Sequence, residues 1–159
     1  MIDPQTRIGH VHLKVSDLEQ SIKFYAEVLG FEVTTRYGRE AAFLSAGGYH
    51  HHIGLNVWES SGGSPPPPNT TGLYHFAILV PSRKELARTL QRLVEHNWHI
   101  DGASDHGVSE AIYFRDPDDN GIEVYCDLPR DQWPHGSNGA LVMYTRQLDI
   151  DSLMGELKT

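Results

Sequence analysis

Cysteine is nearly missing from this chain. Cys126 stands alone, so no internal disulfide can form, and a reducing, cytoplasmic setting is expected. Long apolar runs are missing too: none approaches the ~20 residues needed to span a bilayer, so no membrane partner is expected. Basic residues are few, 13 Lys and Arg against 21 Asp and Glu, and the net charge of −8 speaks against nucleic acid as a partner. Residues Met1 to Arg7 lack the basic-then-apolar order of a secretory leader. Hydrophobic residues at 39 % and charged residues at 21 % of 159 suit a soluble globular domain with a real core.

Histidine is what the chain has in excess, ten in all. Two histidines and a glutamate stand inside otherwise apolar strands, where a buried charge without a partner is costly. His10 opens Val11-His12-Leu13-Lys14-Val15, His75 opens Phe76-Ala77-Ile78-Leu79-Val80, and Glu123 interrupts Ile122-Glu123-Val124-Tyr125-Cys126. Period-two alternation sets Val11, Leu13 and Val15 on one face of the first strand and His10, His12 and Lys14 on the other.

The segments around these residues recur in one order. In residues 8–58 a strand is followed by a helix capped by Ser16-Asp17, with Leu18, Ile22, Tyr25 and Leu29 at helical spacing and Gly30 beyond its end. Three strands follow: Phe31–Thr34, Ala41–Ser45 and, after the Gly47-Gly48 turn, His50–Trp58. Residues 59–72, rich in Gly and Ser with four consecutive prolines, form a stiff connector. Residues 73–128 repeat the pattern, with a strand at His75–Val80 and a helix from Pro81-Ser82 bearing Leu86, Leu90, Leu93 and Val94. Strands at Trp98–Ile100, Ala111–Arg115 and Gly121–Cys126 complete it. A shift of 65 residues lays His10 on His75 and Val15 on Val80. The expected fold is α+β: residues 1–128 form one domain of paired βαβββ modules, whose largely eight-stranded mixed sheet makes a cup around a metal. Residues 129–159 are an extension, with a strand expected at Leu141–Tyr144 and a short helix at Ile150–Leu157.

Alternation collects His10, His75, Glu123, His52 and Tyr113 on the faces that do not pack on the helices. Two imidazoles and one carboxylate on one side of a metal leave positions open for substrate and oxygen, the arrangement of non-haem Fe(II) oxygenases; manganese, nickel or zinc accept similar donors.

The paired modules, Gly9-His10-Val11-His12-Leu13-Lys14-Val15-Ser16-Asp17-Leu18 with Phe24-Tyr25, and Asp116-Pro117-Asp118 through Glu123 resemble the vicinal oxygen chelate superfamily. That superfamily holds glyoxalases, extradiol dioxygenases, thiol transferases and drug-binding proteins. The resemblance covers residues 8–128 and implies His10, His75 and Glu123 as metal ligands. Glyoxalase I-type enzymes add a fourth ligand where Gly54 stands here, and its absence leaves an open three-ligand site. Tyr49-His50-His51-His52, the proline run and Gly72-Leu73-Tyr74-His75 look most like the catechol-2,3-dioxygenase branch. That likeness implies His52, favoured over His51, as the acid–base residue, and Tyr113 and His106 as substrate contacts. It implies an Fe(II)-dependent extradiol dioxygenase acting on a small aromatic diol and O₂, in a homodimer or larger homo-oligomer. Two other readings remain: a glyoxalase-like lyase or thiol transferase using the same ligands, and a metal-free protein sequestering an aromatic compound. His12 lies on the open face without an assigned part, and His96, His99 and His135 read as surface residues.

Overall fold

The computed structural model describes residues 1–158. Two compact units divide the chain, Met1–Pro68 and Asn69–Thr159.

In the first unit, β1 (Val11–Lys14) leads into α1 (Leu18–Lys23), which continues as a π-helical turn over Phe24–Val28. β2 (Glu32–Tyr37), β3 (Ala41–Ser45) and β4 (Ile53–Asn56) follow. The sheet order is β1-β4-β3-β2, with β1 parallel to β4 and the other pairs antiparallel. Asp17 caps α1 by accepting the Gln20 N–H. Leu18, Ile22, Tyr25 and Leu29 are buried, as their helical spacing requires, and so are Leu13 in β1 and Val15 just beyond it.

The second unit repeats the plan with β5 (Phe76–Leu79), α2 (Arg83–Glu95), β6 (Ile100–Asp105), β7 (Ser109–Arg115) and β8 (Gly121–Asp127). Its order, β5-β8-β7-β6, is that of the first sheet, extended by β9 (Arg146–Gln147) beside β6. The registers agree as well: Val11 faces Ile53 across β1 and β4 as Phe76 faces Ile122 across β5 and β8. Ser82 caps α2 by accepting the Glu85 N–H. Leu86, Leu90 and Leu93 are buried with Ile112, Phe114, Ile122 and Val124; each such side chain contributes about 1.5–3 kcal/mol against exposure.

The eight expected strands therefore lie in a four-stranded and a five-stranded sheet. Several details differ from the sequence expectation. The strand expected at His50–Trp58 runs only over Ile53–Asn56, and the one expected at Trp98–Ile100 runs over Ile100–Asp105. Val94 is 59 % exposed, although it follows Leu90 at helical spacing, because it stands in the last turn of α2, one residue before the helix ends at Glu95. Leu141 forms only an isolated bridge with His135, and the extension's paired strand is Arg146–Gln147. The terminal helix α3 spans Ile150–Gly155, and a tighter turn over Glu156–Lys158 ends it. Among the described residues no helix is long and apolar enough to cross a membrane.

Candidate metal centre

In the second unit, register sets Ala77, Glu123 and Tyr113 side by side across β5, β8 and β7. Residues paired across neighbouring strands share a face, so Glu123 and Tyr113 project together, opposite the buried Ile122, Val124 and Cys126. The Tyr113 hydroxyl donates to Glu123 Oε1 at 3.0 Å. The other carboxylate oxygen, Oε2, lies 3.0 Å from His75 Nε2. Gly121 permits this meeting: a Cβ there would stand 3.1 Å from the His75 Cβ and collide with the Tyr74 carbonyl oxygen, so the strand entering β5 can close on β8 only over glycine.

His106 joins the same group. It sits where β6 turns into β7, its N–H donating to Ser109 O at 2.8 Å, and its Nε2 lies 2.7 Å from the Tyr113 hydroxyl. A tyrosine has one proton to donate. With that proton on Glu123, Tyr113 accepts from His106 Nε2–H. Burial, followed by the neighbouring Glu123 carboxylate, pushes the Tyr113 phenol well above its usual range. Tyr113 therefore stands as a neutral donor at physiological pH. A cavity of about 550 Å³ opens beside these groups, lined among others by His75, His106, Tyr113, Arg115, Asp101 and Thr145.

The donors suit a divalent metal. Ligands bound at about 2.1 Å and at right angles lie about 3 Å apart, which is the spacing of His75 Nε2 and Glu123 Oε2. Imidazole and carboxylate are ligands that iron, manganese, nickel and zinc all accept. Among the described residues no group of three or more His, Cys, Asp or Glu side chains is gathered to hold a metal ion; these two are a pair.

The first unit carries its own histidine cluster. His10 is exposed and its ring lies 4.4 Å from that of His51, which also packs on Phe43 at 5.0 Å. His12 lies between Phe43 and Trp58, each 5.7 Å away. Burial, then the neighbouring His10, lowers the pKa of both His12 and His51 from the usual imidazole value. Gly54 pairs with His12 across β1 and β4. A Cβ at Gly54 would stand 2.9–3.1 Å from the His12 ring atoms, so the position that holds Glu123 in the second copy is covered by an imidazole in the first. His52 turns toward the preceding loop: its Nδ1 accepts from the Ala46 N–H at 3.3 Å and lies 3.0 Å from the Ser45 hydroxyl. With Nδ1 accepting, a neutral His52 carries its proton on Nε2.

Of the residues expected from sequence, His75, Glu123, Tyr113 and His106 form one hydrogen-bonded run, while His10 and His52 belong to the first unit. Sequence reasoning passed over three features. It did not see His51 at the His10 ring, Phe43 and Trp58 around His12, or the Tyr144–Thr145 segment at His106. The first was hidden because alternation holds only from Ile53 onward, and the last because nothing local joins residues 38 positions apart.

Comparison with known proteins agrees with the fold. The family model described as Glyoxalase/Bleomycin resistance protein/Dioxygenase superfamily matches residues 7–124. A catechol-2,3-dioxygenase of Bacillus subtilis is 44 % identical over 156 residues, covering 98 % of this chain and 53 % of its own. The metallothiol transferase FosB of Staphylococcus epidermidis is 28 % identical over 129 residues, covering 80 % of this chain and 86 % of its own. A glyoxalase/dioxygenase structure from Nostoc punctiforme superposes with a TM-score of 0.65 at 23 % identity, over 81 % of this chain and 97 % of that one. The chain spans about half the length of the curated dioxygenase it matches.

Proposed function

The chain belongs to the glyoxalase/bleomycin resistance protein/dioxygenase superfamily, and from that membership we propose that it is an Fe(II)-dependent extradiol dioxygenase opening the ring of catechol or a substituted catechol. The observation that carries the reading is the run from His106 through Tyr113 and Glu123 to His75, of which His106, Tyr113 and His75 line one cavity. A metal site that only activates a leaving group has no need of a neutral phenol and an imidazole beside its carboxylate. A substrate bearing two adjacent hydroxyls gives both of them a partner. The similarity to a catechol-2,3-dioxygenase supports the same chemistry.

In this proposal His75 and Glu123, with His10 as third ligand, hold the metal. His10 comes from the same chain or, in a homodimer with exchanged halves, from a second copy. Iron fits these donors, as do manganese, nickel and zinc. When bound, the metal supplies a place where diol and O₂ meet and electrons pass between them. Tyr113 is neutral, and its one proton, which lies on Glu123 without substrate, turns to a substrate oxygen when the diol binds, while His106 holds the phenol from its other side. His52 offers a proton at Nε2 as the acid–base group, with His51 beside it at the edge of β4. Both atoms of O₂ enter the product, a ring-opened semialdehyde, so no further reductant is needed.

The test is reconstitution with Fe(II) without oxygen, determination of bound metal, and admission of O₂ with a panel of catechols. Oxygen uptake with formation of a coloured product supports the proposal; a metal-replete protein that consumes no oxygen with any of them removes it. Thiol transfer is a second reading, favoured by a match that runs over 86 % of the metallothiol transferase. Under that reading Tyr113→Phe leaves turnover intact. A glyoxalase reading is disfavoured by Gly54, which lacks the fourth ligand and lies under His12.

A further inference from the structure

The chain beyond the second βαβββ unit is laid against the turn that carries His106. β9 pairs with β6, Gln147 opposite Ser104 and Arg146 opposite Asp105. The Tyr144 N–H donates to His106 O at 3.3 Å, and the Leu148 N–H to Ala103 O at 3.4 Å. Leu148 and Leu153 are buried. Farther along, the Arg83 guanidinium on α2 donates to Glu110 at 2.7 Å, to Glu156 at 2.9 Å and to Ser152 O at 3.1 Å. These contacts anchor the segment at residues 144–147 and again from Leu148 to Glu156.

That segment meets the His106 ring itself. Nδ1 lies 3.0 Å from the Tyr144 carbonyl oxygen and 3.3 Å from the Thr145 hydroxyl. The Tyr144 ring covers Gly107, whose φ of +77° suits glycine and whose missing Cβ would stand 2.6 Å from Tyr144 Cε1. The Arg146 guanidinium lies 4.1 Å from the Tyr144 ring centroid, within cation–π distance. Asp105 adds a brace, accepting the Gly107 N–H at 2.7 Å.

A neutral imidazole donates from one nitrogen and accepts at the other. Two partners compete for Nδ1. The Tyr144 carbonyl can only accept and draws the ring proton to Nδ1, whereas the Thr145 hydroxyl can donate to Nδ1 and leaves the proton on Nε2. On the far side, the Tyr113 proton goes to the Glu123 carboxylate, a charge-assisted bond stronger than one to a neutral imidazole. That bond leaves Tyr113 as an acceptor and favours the proton on His106 Nε2.

We infer that Tyr144 and Thr145 are positioning residues for His106, and that the Thr145 hydroxyl sets which ring nitrogen faces Tyr113 as a donor. The extension is then a working part of the site, and Thr145, which lines the same cavity, orders the hydrogen bonds from Thr145 through His106 and Tyr113 to Glu123. Removing the hydroxyl leaves the Tyr144 carbonyl as the partner of Nδ1. The ring proton moves to Nδ1, and the Tyr113 proton turns from Glu123 to His106. The part of this inference that concerns turnover rests on the dioxygenase reading above.

The experiment compares the full chain, metal-free, with Thr145→Val and Thr145→Ser by nitrogen-15 NMR of labelled histidine, the His106 signals being assigned by their loss in His106→Gln. Thr145 is exposed and valine has its shape, so the fold is kept. The expected result is a proton on Nε2 in the natural chain, on Nδ1 in Thr145→Val, and again on Nε2 in Thr145→Ser. In the Fe(II)-loaded enzyme kcat falls about five- to tenfold in Thr145→Val with KM little changed, and Thr145→Ser restores it. A proton at the same nitrogen in Thr145→Val as in the natural chain overturns the inference, as does a natural chain protonated at Nδ1. The NMR result needs no turnover: a protein that opens no catechol ring but shows the proton switch keeps the positioning of His106 and loses only the dioxygenase reading.

Discussion

The imidazole of His12 lies directly over Gly54, its Cγ 2.9 Å from the point where a side-chain Cβ would stand. The matching pair in the second unit is Ala77 and Glu123, so the small and the large residue have changed places between the copies. Alanine normally suits a strand better than glycine. Here Gly54→Ala is expected to lower stability by about 1–3 kcal/mol through overpacking, with most of the loss relieved in Gly54→Ala/His12→Ala. Chemical denaturation of the two variants and of His12→Ala alone measures the coupling. A Gly54→Ala protein as stable as the natural one contradicts the contact.

Tyr113→Phe removes the donor to Glu123 and the acceptor of His106 while keeping the ring. Metal binding should persist, because the ligand atoms of His75 and Glu123 are untouched. Turnover of catechol should fall about 10²-fold, in the range of positioned proton donors. Steady-state oxygen uptake beside metal analysis separates the two effects.

Arg83 ties α2 to β7 and to the terminal helix through Glu110, Ser152 and Glu156. Its loss leaves the half-buried Glu110 carboxylate, 14 % exposed, without its partner. Arg83→Ala is expected to cost about 2–3 kcal/mol. It should also raise amide exchange in residues 146–153 before the rest of the unit. Hydrogen exchange with mass spectrometry reads the second effect, and uniform exchange through the unit speaks against the anchor.

Burial, followed by the neighbouring Glu110, pushes the Cys126 thiol up from an ordinary 9.0 to about 11. A raised value means the folded state holds this proton more tightly than the unfolded one. The stabilisation is therefore complete below pH 9 and is lost as pH rises from 9 to about 11. Urea midpoints over that interval should fall more steeply for the natural chain than for Cys126→Ala. Alkylation of the folded protein at pH 8 should be slow.

Most of what positions the site was legible because it is local. Alternation in β1 and β8 placed His12 and Glu123 opposite the apolar residues, and the caps Asp17 and Ser82 marked both helices; His10 stands just before β1. Repetition supplied the order of elements along the chain, βαβββ twice, whereas the order of strands in each sheet came from the structure. What was not legible depends on contacts between distant residues or on irregular chain. His51 reaches the His10 ring because the backbone is not yet a strand before Ile53, so parity counted back from β4 does not apply to it. Tyr144 and Thr145 reach His106 through a two-residue strand, too short to leave a pattern. Tyr113 was visible as an aromatic in a strand, but its proton on Glu123 and its bond to His106 are matters of register.

The most direct test of the account is the fate of molecular oxygen. Fe(II)-loaded protein, incubated with a catechol that it turns over and with oxygen-18 gas, is predicted to give a ring-opened product carrying two labelled atoms, one in the new carboxylate and one in the new aldehyde, as judged by mass spectrometry before exchange with water. A metal-replete protein that yields no labelled ring-opened product from any of a catechol panel contradicts the account.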